Sequence, residues 1–310
     1  MPGPAEVVRN DRRVQQLGIV VTTLGRLDAL DRLLASLEGA LVEGDEVVLV
    51  AQRHEDAVRE LAAAHRDRGL PVSVIRSEPG AARGRNAGVA ALSAAPEADP
   101  MLMFPNDTTW VRPGAVEAVR SLPEDTLAGA ITVVDENGPR SVHPPAGTPL
   151  DRWTAMRVVE MSILLRRSVF LRVGGFDSGI GTGAPTPWQA GEATDLLMRV
   201  LHDPVQGAEL ARGFAWLDPE VSLGGVPWYR GLSPAERRRK LRAYSRGHAH
   251  VVARWRYPLW YRAAILAAAP LFGFRHRPVY RPSDGWPMFL GHLEGLTGLL
   301  LGPRMTAVTR

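Results

Sequence analysis

Two groups of carboxylates in this sequence could do chemistry. The first is Asp107, in the run Phe104-Pro105-Asn106-Asp107-Thr108-Thr109-Trp110. Asn106, Asp107 and Thr108 offer three oxygen-bearing side chains in succession. Such a set suits a hard divalent cation, Mg2+ or Mn2+, especially when a phosphate supplies further oxygens. It also suits an ordinary turn that caps a helix. The second group is Glu192 and Asp195, which open a helix-like run at 192–201. Their separation of three puts them on one helical face. A carboxylate there could take a proton from a hydroxyl. It could equally serve only to complement a helix N-terminus. Glu192 stands nearer the glycine-rich stretch 174–191 and is preferred as the base, with Asp195 second.

Arginines supply the complementary charge. Arg83 and Arg85 lie in Ser77-Glu78-Pro79-Gly80-Ala81-Ala82-Arg83-Gly84-Arg85-Asn86-Ala87-Gly88. Either could pair with phosphate oxygens, and a helix beginning near Asn86 would offer free N–H groups beside them. Trp188, just before Glu192, could stack on a sugar ring or anchor a core.

The elements that must position these groups alternate in type. Short β-branched runs occupy 18–22, 46–50, 71–75, 101–104 and 130–134, with helix-like stretches at 27–37, 56–68 and 86–94 between them. This alternation predicts βαβ units and a mostly parallel sheet flanked by helices, an α/β fold. Ligands of such sheets bind beyond the C-terminal strand ends. The loops that matter are then 22–26, 51–55, 77–86 and 105–113. A further strand is expected at 160–166, and loops at 135–150 and 174–191.

Composition removes several chemistries. The 310 residues include no cysteine, so disulfides, thiolate metal sites and cysteine nucleophiles are excluded. No run of about 20 apolar residues predicts a membrane span. The first sixteen residues are polar and charged and read as a flexible lead-in rather than a signal peptide.

Four segments in order and spacing resemble the family 2 glycosyltransferases. They are GIVVTTLGR, SEPGAARGRNAG, FPNDTTWVRPG, and GGFDSGIGTG followed by GEATDLLMR, and the resemblance spans residues 17–225. It implies a GT-A fold, Rossmann-like, with an inverting, nucleotide-sugar-dependent transfer. It implies that the turn Thr22, Thr23, Gly25, Arg26 holds the nucleotide, and that Arg83, Arg85 and Asn86 belong to the family's G-x-x-x-A-R-N-x-G signature. It sets Asn106, Asp107 and Thr108 on the D-x-D positions, so that Asp107 is the one carboxylate left to hold Mg2+ or Mn2+. It makes Glu192 or Asp195 the base and gives Asp177 of Gly174-Gly175-Phe176-Asp177 a place near the acceptor.

The chain also departs from the family pattern. Gln52 stands where an acidic residue usually meets the nucleoside, and could read a base edge instead. Ala193 stands where the usual catalytic Asp would be. No histidine occurs in 219–229, where a metal ligand is often found. These departures leave metal-independent transfer open. They also leave open two rivals, a decayed nucleotide-sugar-binding protein and a nucleotidyltransferase. The second would want a lysine-rich N-terminal loop, and Lys240 is the only lysine.

The C-terminal part, 229–310, reads as a helical extension of a catalytic domain at 17–228. From Arg230 to Arg281 thirteen basic residues face one acidic residue, Glu236. Ser233-Pro234-Ala235-Glu236 predicts a capped helix running to about 255. Further apolar helices are expected at 259–269 and 286–301. Arginines interleaved with Trp255, Tyr257, Trp260 and Tyr261 fit an anionic membrane surface. They also fit packing on the core or between copies, and nucleic acid less well. The expected partners are a UDP, dTDP or GDP sugar and a hydroxyl acceptor, lipid-linked or not. The expected setting is the bacterial cytoplasm, at the inner face of the membrane if the extension docks there.

Overall fold

The computed structural model of the protein describes residues 15–95, 98–276 and 280–301. The expected lead-in at 1–16 therefore lies outside the described residues, except for Gln15 and Gln16.

The first half follows the alternation read from the sequence: β1 (Leu17–Thr23), α1 (Leu27–Leu37), β2 (Glu46–Ala51), α2 (Glu55–Asp67), β3 (Val72–Arg76), α3 (Ala81–Ala90) and β4 (Met101–Met103). Strands β1, β2 and β4 are almost entirely apolar and buried on both faces, as parallel strands between helical layers must be, while β3 at the sheet edge is only half-buried. On α1, Leu30, Leu33, Leu34 and Leu37 repeat at helical spacing and are fully buried against this sheet.

Next come β5 (Thr109–Val111), α4 (Ala115–Arg120), β6 (Ala128–Ala130), β7 (Thr132–Asp135), β8 (Gly138–Pro139), β9 (Ile163–Arg166), α5 (Arg167–Arg172), α6 (Glu192–Leu201), α7 (Gly207–Arg212), β10 (Ala215–Trp216) and β11 (Ser222–Gly225). The main sheet has the order β10-β6-β9-β4-β1-β2-β3. All its neighbours are parallel except β9, which runs antiparallel to β4 and β6. A second sheet has the order β5-β11-β7-β8.

The strand expected at 130–134 is split. Its first part pairs with β9 in the main sheet, and its second part joins β11 in the other. Ile131 is the hinge: its N–H still bonds Ser162 O at 2.9 Å, beyond the end of β9. The helix expected from 86 starts earlier, at Ala81, so Asn86 is a mid-helix residue. The strand expected at 160–166 begins with a 3-10 turn at Glu160–Ser162.

The chain order reverses at β1. It moves outward through β2 and β3, then returns to form β4 on the other side of β1. The crevice between the C-terminal ends of β1 and β4 is therefore the topological switch point, where ligands of open α/β sheets bind.

The C-terminal helices are α8 (Pro234–Arg254), α9 (Leu259–Ala268), α10 (Phe272–Arg275) and α11 (Gly285–Thr297). Ser233 and Glu236 form the expected capping box at the start of α8. Two stripes on α8 face two partners. Arg237 pairs with Asp284, while Arg242 and Arg246 both pair with the buried Glu294 of α11. Lys240, Tyr244, Gly247, Val251 and Arg254, spaced three or four apart, face the mixed α/β part of the fold. Gly247 is needed there: a Cβ would lie 2.3 Å from Ala190 N. Three of the thirteen basic residues from 230 to 281 are thus paired with carboxylates inside the extension. Among the described residues no helix is long and apolar enough to cross a membrane.

Candidate active site

The switch point is closed by a buried carboxylate. Thr23, the last residue of β1, donates its Oγ1–H to Asp107 Oδ2 at 2.7 Å. Arg26 donates from Nε to the same oxygen at 3.1 Å and from Nη2 to Oδ1 at 2.5 Å. This forked pair is the strongest geometry available to a guanidinium and a carboxylate. Asp107 is fully buried, whereas the Arg26 side chain is 57% exposed.

A second charged cluster lies beside it. Arg85 on α3 is 2% exposed. Its Nη2 donates to Asn106 Oδ1 at 3.0 Å and stands 3.7 Å from Glu160 Oε1. Its Nη1 is 3.5 Å from Glu192 Oε1 and has no hydrogen-bond partner among the described residues. Asn106 Nδ2 donates to Glu160 Oε1 at 3.2 Å. The guanidinium also lies 5.3 Å from the Phe176 ring centroid.

Glu192 opens α6 directly after Gly191, whose φ is +99°. Burial pushes its pKa up to about 7, and the negative charge of Glu160 adds to this against the opposing pull of Arg85. A carboxylate in that range is suited to accept a proton near neutrality. Gly181, at φ +109°, lies against it, and a Cβ there would sit 2.8 Å from the Glu192 carboxyl carbon. The glycine-rich stretch 174–191 is thereby folded over the start of α3, with Ala81 N–H bonded to Thr182 O at 2.9 Å. Tyr244 of α8 bonds Thr182 from above, and burial raises its pKa.

The other residues singled out in the sequence are placed as follows. Asp195 is fully buried and accepts from Arg199 Nε at 3.0 Å and Trp255 Nε1 at 2.9 Å. The three-residue spacing does not bring it to the Arg85 cluster; it ties α6 to the end of α8. Asn86 exchanges hydrogen bonds with the backbone of Phe176, at 2.8 and 2.9 Å, and so holds the Gly174–Asp177 turn. Gln52 Nε2 is spent on Ser77 Oγ, Glu78 O and Gly80 O. Trp188 stacks on His250 with centroids 4.1 Å apart. Asp177 pairs with Arg254 at 2.6 Å. Thr22 packs near Gly84, and Gly25, at φ +86°, under His54. Arg83 is exposed, and Thr108 is half-buried with its carbonyl bonded to Val226 N–H.

The residues at the D-x-D positions fit a divalent metal poorly. Both oxygens of the single carboxylate, Asp107, are held by Arg26 and Thr23. Asn106 is bonded to Arg85 and Glu160. No group of three His, Asp or Glu among the described residues could hold an ion.

Sequence reasoning missed Glu160, Lys240 and Tyr244. Glu160 opens the turn before β9 and had the strand pattern of 160–166 as its only local signal. Lys240 had one signal, as the only lysine in an arginine-rich chain. A shallow cleft lined by Glu46, Arg66 and Ser73 lies at the other end of the strands and gathers no catalytic groups.

No protein-family model matches the chain, and no curated protein sequence matches it. Solved structures do. S. aureus TarS 1–349 is similar at a TM-score of 0.54 and 11% identity, covering 92% of each chain. Its complex with UDP gives 0.53 and 12% over the same shares. The mannosyltransferase PcManGT from Pyrobaculum calidifontis, in complex with GDP-Man and Mn2+, gives 0.53 and 17%, over 93% of this chain and 87% of its own. GalNAc-T7 with UDP, GalNAc and Mn2+ gives 0.53 and 14%, over 92% of this chain and 55% of its own. The mixed α/β core, the switch point between β1 and β4 and the helices that follow thus make up the GT-A glycosyltransferase fold.

Proposed function

We propose that the protein is an inverting glycosyltransferase of the family 2 type, moving a sugar from a nucleoside diphosphate to a hydroxyl acceptor. Glu192 is the general base. The observation that carries this reading is a buried carboxylate with its pKa pushed up to about 7, set beside a buried arginine next to the switch point. The UDP and GDP-mannose bound by the neighbours support a nucleoside diphosphate sugar as the donor.

In the reaction the acceptor oxygen attacks the anomeric carbon as the bond to the diphosphate breaks. The electron pair of that bond leaves with the nucleoside diphosphate, and the acceptor proton passes to Glu192. Arg85 keeps Glu192 ionisable in a site that otherwise favours its neutral form. No covalent intermediate is required, and the configuration inverts in one displacement.

Exposed apolar groups on the extension support a lipid-linked acceptor met at an anionic membrane surface. Leu259, Trp260, Leu271, Phe274 and Trp286 are all more than half exposed. Arg256 and Arg275 are exposed near them in the chain, and α9 has no buried residue. Aromatic rings with arginines at their margin suit the headgroup layer.

The test is a transfer and hydrolysis assay over UDP, dTDP and GDP sugars, with NMR of the product anomer. Turnover with inversion supports the reading. Retention of configuration, or silence across the panel with no nucleotide binding, overturns it.

A further inference from the structure

We propose that Lys240 and Arg26 together receive the diphosphate of the sugar donor, in the role a divalent metal ion would otherwise fill. The inference deepens the glycosyltransferase reading and rests on it.

Lys240 is the one lysine of the chain. It lies on the stripe of α8 that faces the mixed α/β part of the fold. Its Nζ is 3.4 Å from Trp228 O, 5.5 Å from the Trp228 ring centroid and 5.4 Å from that of Tyr244. It makes no ion pair among the described residues. Burial lowers its pKa, and the positive charge of Arg26 lowers it further. Trp228, whose carbonyl Lys240 meets, lies two residues after Val226, whose N–H bonds Thr108 O at 3.2 Å beside Asp107, so the chain brings Lys240 toward the carboxylate that Arg26 grips. That carboxylate, Asp107, is already taken by Arg26.

Holding like charges together costs free energy unless an anion joins them. Arg26 is well suited to the task. Its Nε and Nη2 are fixed on Asp107, which orients the guanidinium, and its remaining donors and more than half of its surface stay open. Lysine rather than arginine suits the second position, because a compact ammonium on a stem lined by two rings reaches a phosphate as a point charge. Arg26 and Asp107 sit at the crevice beyond β1 and β4, the switch point where ligands of such sheets bind. When the anomeric C–O bond breaks, the electron pair stays on the departing phosphate oxygen, and these two cations face the charge that develops there. The poor fit of Asn106, Asp107 and Thr108 to a metal is then the expected counterpart of this pair.

Calorimetry of UDP, dTDP and GDP with the full chain tests the inference, first in EDTA and then with Mn2+. At least one should bind in EDTA, with an affinity that Mn2+ leaves unchanged. Lys240→Met and Arg26→Gln should each weaken that affinity by about tenfold or more, while circular dichroism and thermal unfolding verify their folding. The unaltered protein gives a second readout. Acylation of its sole lysine by an amine-reactive ester should slow when the bound diphosphate saturates, and the corresponding nucleoside should leave it unchanged. Binding that requires Mn2+, or a Lys240 whose acylation ignores a saturating diphosphate, overturns the inference while leaving the glycosyltransferase reading intact. Binding of none of the three, with or without Mn2+, overturns both.

Discussion

Arg85 Nη1 lies 3.5 Å from Glu192 Oε1, too far for a good hydrogen bond, and meets no other acceptor among the described residues. A buried donor left so costs free energy. It also leaves the Glu192 carboxylate with lone pairs open for an incoming hydroxyl. The pair is held close enough for charge to matter.

Replacing Glu192 by Gln should therefore lower kcat by about 10²–10⁴, the usual worth of a positioned base, with little change in nucleotide affinity. Steady-state kinetics alongside calorimetry separates the two quantities. Activity retained at the level of the unaltered chain would sink the base assignment.

The rate should depend on pH through the same group. Activity rises as Glu192 loses its proton, so kcat/KM should climb with pH through about 7. Glu160 helps to raise that pKa. Glu160→Gln should move the acid limb to lower pH, and an unmoved limb would show that another group controls it.

Stability should respond in the opposite sense. The folded pKa of Glu192 lies above the 4.5 of an unperturbed glutamate. Between that value and about 7 the folded state binds the proton more readily than the unfolded state, so rising pH costs stability across this window. Glu192→Gln removes that cost. Its melting temperature should exceed that of the unaltered chain at pH 8 and match it at pH 5. The gain is on the order of 1–3 kcal/mol at most. Equal melting temperatures at both pH values would contradict the raised pKa.

Gly247→Ala should destabilise the docking of α8, although alanine favours helices. A Cβ would meet the Ala190 backbone at 2.3–2.4 Å, and backbone cannot swing aside as a side chain can. Overpacking of this kind costs about 1–3 kcal/mol. Chemical denaturation measures it, and a more stable variant would show that α8 does not rest on Ala190.

Binding to vesicles tests the aromatic face. Trp260→Ser with Phe274→Ser should weaken association with phosphatidylglycerol vesicles and leave the transfer to a water-soluble acceptor unchanged. Equal sedimentation with anionic and neutral vesicles before substitution would remove the proposed membrane contact.

Much of the frame was legible because it is written in local periodicity. Leu30, Leu33, Leu34 and Leu37 state the bounds of α1, and the Ser233–Glu236 box states the start of α8. The start of α3 was hidden because Gly80, Gly84 and Gly88 weaken any helical signal there. The break at Ile131 was hidden because a β-branched run looks the same whether it serves one sheet or two. The site was only half legible. Glu192 could be picked out beside its glycine-rich stretch, but Asp195 at helical spacing could not be told from it until Trp255 and Arg199 were seen to hold it. Glu160 and Tyr244 reach the cluster from far along the chain, and such meetings leave no trace in spacing.

On the proposed function, one helix reaches toward the territory of both reactants. On α8, Lys240 lies over Trp228, while two turns further Gly247 bears on Ala190, and Val251 on Gly191, next to Glu192. A helix moves as a rod, so a tilt that seats Lys240 on phosphate also presses or frees the residues around Glu192. Under the proposed roles of Lys240 and Glu192, occupancy of one half of the crevice would then be coupled energetically to the other. Because such coupling is reciprocal, an acceptor would tighten its own sugar donor by the same factor as the donor tightens it.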